Sequence, residues 1–320
     1  MKQANLIFVG LAALSVACAV QNDAVLSGSS AAQSIPENTF KEYFENSPAW
    51  QQRLQRSTAI LVSTQDYNAL TSRPVHLDQN LCSEQREQPF SSFAQPSFFS
   101  ITDFGSCSAV LIDDEFIATA GHCRCEGASA VFGFYKDGNS SWPSIPQEQF
   151  YPVAETIVSV FTAQADYAVC RLERPVTEDF TPLPVAPMPT LGSELLFASY
   201  PLGTPAKLSA GIYDGVQHMT SRDASWHTVS KRSFVGESGS AVIDSEGRLV
   251  GNLSGAVPYA LTSSPEQGHC QRFVSSDEVN GFTTMVMPIE PAVNALCDWA
   301  ANRNRYLSNL DCGAMHLKAM

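Results

Sequence analysis

Three short segments hold residues whose types could perform acyl-transfer chemistry together: Thr119-Ala120-Gly121-His122-Cys123, Asp166-Tyr167-Ala168-Val169 and Gly236-Glu237-Ser238-Gly239-Ser240. A serine hydroxyl becomes a competent nucleophile when an imidazole takes its proton, and a buried carboxylate must orient that imidazole. His122, Asp166 and Ser238 are therefore the candidate base, orienting acid and nucleophile. Asp166 opens the apolar run Ala168-Val169-Cys170. A carboxylate entering a buried strand needs a partner to offset its desolvation, and His122 is the candidate. Gly236 and Gly239 flank the serine, where side chains would obstruct both a tight turn and an approaching substrate. The backbone N–H groups of Gly236 and Ser238 are the expected donors to a developing oxyanion. The order His, Asp, Ser also excludes the α/β-hydrolases, which run Ser, Asp, His, and the subtilisins, which run Asp, His, Ser.

Such residues need a rigid frame, and the flanking patterns read as short strands. Ala109–Ile112, Glu115–Thr119, Ala130–Tyr135 and Ile157–Val160 form one β-rich series separated by Asp, Gly, Ser and Pro. Ala168–Leu172, Glu194–Ser199, Ala241–Ile243, Leu249–Leu253 and Thr283–Met287 form a second. After Leu172, residues 181–189 carry four prolines, which no helix or central strand tolerates. Two strand-rich halves joined by an extended connector predict an all-β fold of two packed β-barrels. Ala292, Val293, Leu296 and Trp299 after Pro291 predict a short C-terminal helix. Phe40, Tyr43, Phe44 and Leu54 have approximate helical spacing, consistent with a helix in a pro-segment or one packed on the domain.

The 320 residues carry a formal charge of −13, which argues against sequence-independent nucleic-acid binding, since that needs a basic face. Lys2 followed by the apolar and small-residue run Leu6–Val16 reads as a secretory signal, too short to remain as a spanning anchor. Two exits are open. Leu14-Ser15-Val16-Ala17-Cys18 resembles a bacterial lipoprotein site, which would make Cys18 a lipidated membrane anchor; Ala17-Cys18-Ala19 also fits ordinary signal peptidase. Residues 1–18 are thus the expected signal, 19–56 a flexible tether or pro-segment, and 57–320 the folded domain. Of nine cysteines, the eight beyond Cys18 imply disulfides in an exported, extracytoplasmic protein. The competing reading is a zinc site at His122-Cys123-Arg124-Cys125, but no second ligand pair at a recognisable spacing completes it.

Together the segments resemble the trypsin-like serine peptidases of chymotrypsin fold, in the style of the bacterial glutamyl-endopeptidase-like branch. The resemblance rests on Cys107–Ile112 with Ala118–Cys123, Asp166–Val169 with Arg171-Leu172, Tyr200-Pro201 with the 203–211 stretch, and Gly236–Val242, reaching from about Thr58 to about Gly255. It implies a double six-stranded β-barrel, protein or peptide substrates, and no metal or organic cofactor. It also implies that a Cys107–Cys123 disulfide braces the loop carrying His122, leaving six cysteines with 15 connectivities. The alternatives are a protease-like binding or adhesin domain without activity, and an esterase using the same residues.

Two departures bear on activation and specificity. Glu237 stands before the nucleophile, where digestive relatives carry an aspartate that receives a newly cleaved N-terminal amine. No Ile-Val-Gly-Gly start precedes the domain, although cleavage after Arg56 is an option. Acid-specific members carry a histidine on the strand after the nucleophile, where this chain has Asn252-Leu253-Ser254. Arg232 could floor the specificity pocket beside Ser233, or Lys231 and Arg232 could be solvated loop charges. The backbone of Asn252, Leu253 and Ser254 is the expected edge for an extended substrate.

Overall fold

The computed structural model describes residues 40–42, 45–64, 75–76, 96–97, 107–136, 145–258, 261–264, 270–274, 279 and 281–313. The expected signal and Cys18 lie outside them.

Strand β1 (Lys41–Glu42) and helix α1 (Pro48–Ser57) come first. They are followed by β2 (Thr58–Ser63), the short pair β3 (Val75–His76) and β4 (Pro96–Ser97), then β5 (Cys107–Asp113), β6 (Phe116–Thr119), β7 (Ala128–Phe132), β8 (Phe150–Phe161) and β9 (Asp166–Leu172). Strands β2, β5, β6, β9, β8 and β7 close a barrel in that order, and β2 pairs back onto β7. Alternation in β2 serves two cores. Ala59 and Leu61 point into the barrel with Ile117 and Phe132, whereas Ile60 and Val62 pack on Phe134 and Tyr200.

Beyond the 181–189 connector come β10 (Glu194–Ser199), β11 (Lys207–Met219), β12 (Ala224–Ser230), β13 (Ala241–Ile243), β14 (Leu249–Val257), the hairpin β15 (Leu261–Ser264) with β16 (Cys270–Phe273), and β17 (Thr283–Pro288). Strands β11, β10, β13, β14, β17 and β12 run in sequence, and the β11–β12 pairing closes a second six-stranded barrel. Leu195, Phe197, Val229, Val250 and Val286 fill it. The fold is the expected double β-barrel with a C-terminal helix, α2 (Glu290–Asn302), stapled by Cys297–Cys312. Val110, Ile112 and Val169 of the first barrel meet Ala241 and Ile243 of the second in a shared core completed by Val293 and Leu296 of α2.

Within residues 19–56, the described part packs on the domain, as the packed-helix alternative expected for Leu54. Phe40 precedes a strand, and α1 begins only at Pro48. β1 adds to the edge of β11, pairing Lys41 with Leu208, while α1 buries Leu54 in the shared core. The backbone carbonyl of Arg56 accepts a hydrogen bond from Thr181 at 2.9 Å, and Ser57 is buried with its hydroxyl on the Thr181 carbonyl. A protease cannot reach a peptide bond so engaged, so cleavage after Arg56 is not available to the folded chain.

Candidate active site

His122 sits in a single 3-10 turn, Gly121–Cys123, directly after the fully buried β6. A Cys107–Cys123 disulfide ties this turn to the first residue of β5. A second, Cys125–Cys170, ties the next residues to β9, the strand that begins with Asp166. His122 and Asp166 are therefore held by two covalent links on one barrel. The sulfurs of the His122-Cys123-Arg124-Cys125 run are spent in these bonds, so they offer no thiolate to a metal.

Asp166 is fully buried. Its Oδ2 lies 2.8 Å from His122 Nδ1, and its Oδ1 accepts the His122 backbone N–H at 3.0 Å. Ser254 Oγ donates to Oδ2 at 2.6 Å, and the Arg222 guanidinium approaches the same oxygen to 3.9 Å. Burial pushes the Asp166 carboxyl up, but the His122 ring, Ser254 and the His122 amide together hold it below the ordinary carboxylate value. An ionised carboxylate only accepts, so Nδ1 carries the proton and Nε2 is left as the basic nitrogen.

Ser238 arrives from the second barrel, on the turn that leads into β13. Its carbonyl accepts the Ser108 N–H at 2.7 Å and lies 3.8 Å from Cys123 Sγ. The approach is close enough to require glycine next door. At Gly239, with φ +81°, a Cβ would lie 2.1 Å from the Ser108 carbonyl and 2.2 Å from Thr119 Oγ1. The turn carrying Ser238 is thus seated on the two strands that lead to His122. Among the described residues no hydrogen bond joins His122 to Ser238 Oγ; such bonds are often long in free enzymes and tighten when substrate docks.

The rest of the turn is pinned by its carbonyls. Ser108 Oγ donates to the Gly236 carbonyl at 2.9 Å, and Ser240 Oγ to that of Glu237 at 2.5 Å. Gly236 has φ +93°, which a side chain would strain, and its Cβ would lie 2.8 Å from the Tyr200 carbonyl. The amides of Glu237, Gly239 and Ser240 are spent on the carbonyls of Phe234, Leu253 and Glu237. Among the described residues, those of Gly236 and Ser238 donate to nothing.

Lys231 and Arg232 are not solvated loop charges; both are buried. Lys231 Nζ lies 2.9 Å from Glu237 Oε1, and the Arg232 guanidinium lies 4.6 Å over the Phe282 ring. Ser233 Oγ joins Lys231 and Thr284 in the interior rather than facing a cleft. Asn252 and Leu253 are likewise occupied. Asn252 is paired on both sides, with Ala241 and Met287, and Leu253 exchanges backbone hydrogen bonds with Gly239 and Ser240. A substrate edge can begin only at Ser254, whose hydroxyl serves Asp166.

Residues 107–251 match the family model described as a trypsin-like peptidase domain. The matched span runs from Cys107 into β14 and includes His122, Asp166 and Ser238. Among solved structures, the chain is similar to an inactive form of Rv3671c from M. tuberculosis, a serine-to-alanine mutant. That likeness has 12% identity and a TM-score of 0.44, over 83% of this chain and 97% of the other. No curated protein matches the chain. Four contributors to the candidate site escaped the sequence reading: the Ser254 contact to Asp166, the Lys231 pairing, Arg222, and Phe161, whose ring centroid lies 5.6 Å from that of His122. Only Lys231 left a signal, since Glu237 already stood out as a carboxylate able to receive an amine.

Proposed function

We propose that this protein is a serine endopeptidase, exported from a bacterial cell, that hydrolyses peptide bonds through an acyl-enzyme. Ser238 Oγ attacks the scissile carbonyl carbon while His122 Nε2 takes its proton. The oxyanion is received by the N–H groups of Gly236 and Ser238. Collapse breaks the C–N bond as His122 returns the proton to the leaving amine. A water, deprotonated by His122, then attacks the acyl carbon, and Ser238 leaves with the proton restored. Asp166 keeps the imidazole in the required tautomer and stabilises the imidazolium.

One observation carries this reading: two unspent amides lie in a turn whose other backbone N–H and C=O groups are hydrogen-bonded, beside an assembled Asp166–His122 pair. An extended substrate would add along Ser254–Val257, which pairs with β17 on one side and has no strand on the other among the described residues. The Gly236–Val242 and Tyr200-Pro201 segments favour the glutamyl-endopeptidase-like branch. Asn252-Leu253-Ser254, standing where acid-specific members carry a histidine, argues that their acid preference is not inherited. Export is supported by the Leu6–Val16 run and by three disulfides in the described residues. N-terminal mass spectrometry decides whether Cys18 is lipidated or removed.

The test is labelling by a fluorophosphonate probe together with a peptide-library digest. Wild type should be labelled and should cleave peptides, and Ser238→Ala should stay folded and unlabelled. Absence of labelling in folded wild type would favour an inactive binding domain. Labelling with ester but no peptide hydrolysis would favour an esterase.

A further inference from the structure

The oxyanion-forming turn contains a buried carboxylate that the chemistry above does not use. Glu237 is fully buried, between the two residues whose amides face the reaction. Its Oε2 accepts the Phe234 N–H at 2.6 Å, and its Oε1 accepts Ser199 Oγ at 3.0 Å and Lys231 Nζ at 2.9 Å. The ammonium is equally enclosed and donates also to the Arg232 carbonyl and to Ser233 Oγ, each at 2.9 Å. Its three protons therefore have three acceptors. Burial opposes the charged form of Lys231, and Glu237 opposes that effect. A buried pair of this kind is tolerated when both ions are fully hydrogen-bonded, whereas removing one partner strands the other.

The roof over this pair comes from the N-terminal stretch. Strand β12 leaves the edge of β11 after Ser230, and β1 takes up the same side at Leu208. This sets the buried Phe40 ring 4.8 Å from Lys231 Nζ, opposite Phe197 at 4.9 Å, and 5.3 Å edge-on from Phe234. The ammonium thus lies over two aromatic rings, a favourable site for a desolvated cation. Phe234 in turn gives its amide to Glu237 and its carbonyl to the Glu237 N–H.

We propose that Lys231 is a built-in positioning cation for Glu237, roofed by Phe40, which holds the Gly236–Ser238 amides in catalytic orientation without any newly cleaved N terminus. The stretch from Phe40 onward is then part of the working enzyme, and trimming it lowers activity rather than releasing it. This rests on the serine-peptidase reading of Ser238.

The test uses the full-length chain and two readouts: fluorophosphonate labelling with peptide turnover, and the backbone amide resonances of Gly236 and Gly239 in glycine-labelled protein. Lys231→Met should lower kcat about 10²-fold or more, as loss of an oxyanion donor does, with KM changed little, and should shift or broaden the Gly236 resonance. Phe40→Ala should cause a smaller loss, about 3- to 10-fold. Lys231→Met combined with Glu237→Gln removes the stranded carboxylate and should recover at least about tenfold of the single variant's loss; it also decides the matter if the single variant does not fold. An unchanged Gly236 resonance with near-wild-type kcat in Lys231→Met overturns the proposal. So does a double variant, folded, that is no better than the single one. If wild type itself is not labelled, the peptidase reading fails and the proposal falls with it, an outcome distinct from labelled wild type with an unaffected variant.

Discussion

Ser254→Ala isolates the support beneath the His122–Asp166 pair. The substitution removes one hydroxyl from a site with no solvent and leaves the backbone of β14 in place. Asp166 would keep the His122 ring and amide contacts at 2.8 and 3.0 Å but lose the 2.6 Å donor on Oδ2. A hydrogen bond to a buried charge contributes about 1.5–3 kcal/mol, so unfolding free energy at neutral pH should fall by about that amount. Turnover should fall less, by roughly tenfold, because His122 still has two anchors and a 1.4 kcal/mol misfit is a factor of ten. The loss should also depend on pH. Ser254 is one of the groups holding the Asp166 carboxyl below its ordinary value. The stability gap between wild type and variant should therefore be full above the ordinary carboxylate range and close as acid protonates Asp166 in both. Urea titrations at neutral and acidic pH, with kcat/KM on a peptide substrate, measure all three. A stability change under about 0.5 kcal/mol at neutral pH, or one indifferent to acid, would refute the assignment of Ser254 as a carboxylate donor, since surface-like substitutions change stability by that little.

Two further outcomes follow from the same geometry. For Asp166 in wild type, the folded carboxyl binds protons less readily than the unfolded one, so its contribution is complete above about pH 4 and is lost as pH falls through its depressed folded value; acid unfolding followed by circular dichroism should steepen there, and replacing Asp166 by Asn should flatten that part of the curve. Replacing both Cys125 and Cys170 with serine opens a link with a sequence separation of 45 and should cost about 2–5 kcal/mol in denaturant unfolding, with peptidase activity falling as β9 and the His122 loop come apart.

Much of the frame was legible because its signals are local. Glu194–Ser199 and Ala241–Ile243 are strands with the bounds expected from composition and alternation, and α2 covers the stripe Ala292, Val293, Leu296 and Trp299. The long ribbon of β11 and β12 was not read. Its outer half mixes exposed Val216 with Gln217 and His218, so no clean alternation marks it, and its pairing decides it instead. β8 was visible only at its end, because most of its residues are half-exposed and irregular in pattern.

By itself the sequence supplied the candidate chemistry: His122, Asp166 and Ser238 in one order, with glycines where the Ser238 turn needs positive φ and room. Those are properties of single residues and their immediate neighbours. Tertiary structure alone decided what stands behind them. Ser254 reaches Asp166 across 88 residues, a contact set by how β14 of one barrel meets β9 of the other. Lys231 and Glu237 are only six residues apart, yet their pairing was equally hidden. A charge is read as solvated until something buries it, and what buries this one is Phe40, delivered by a strand from the far end of the chain.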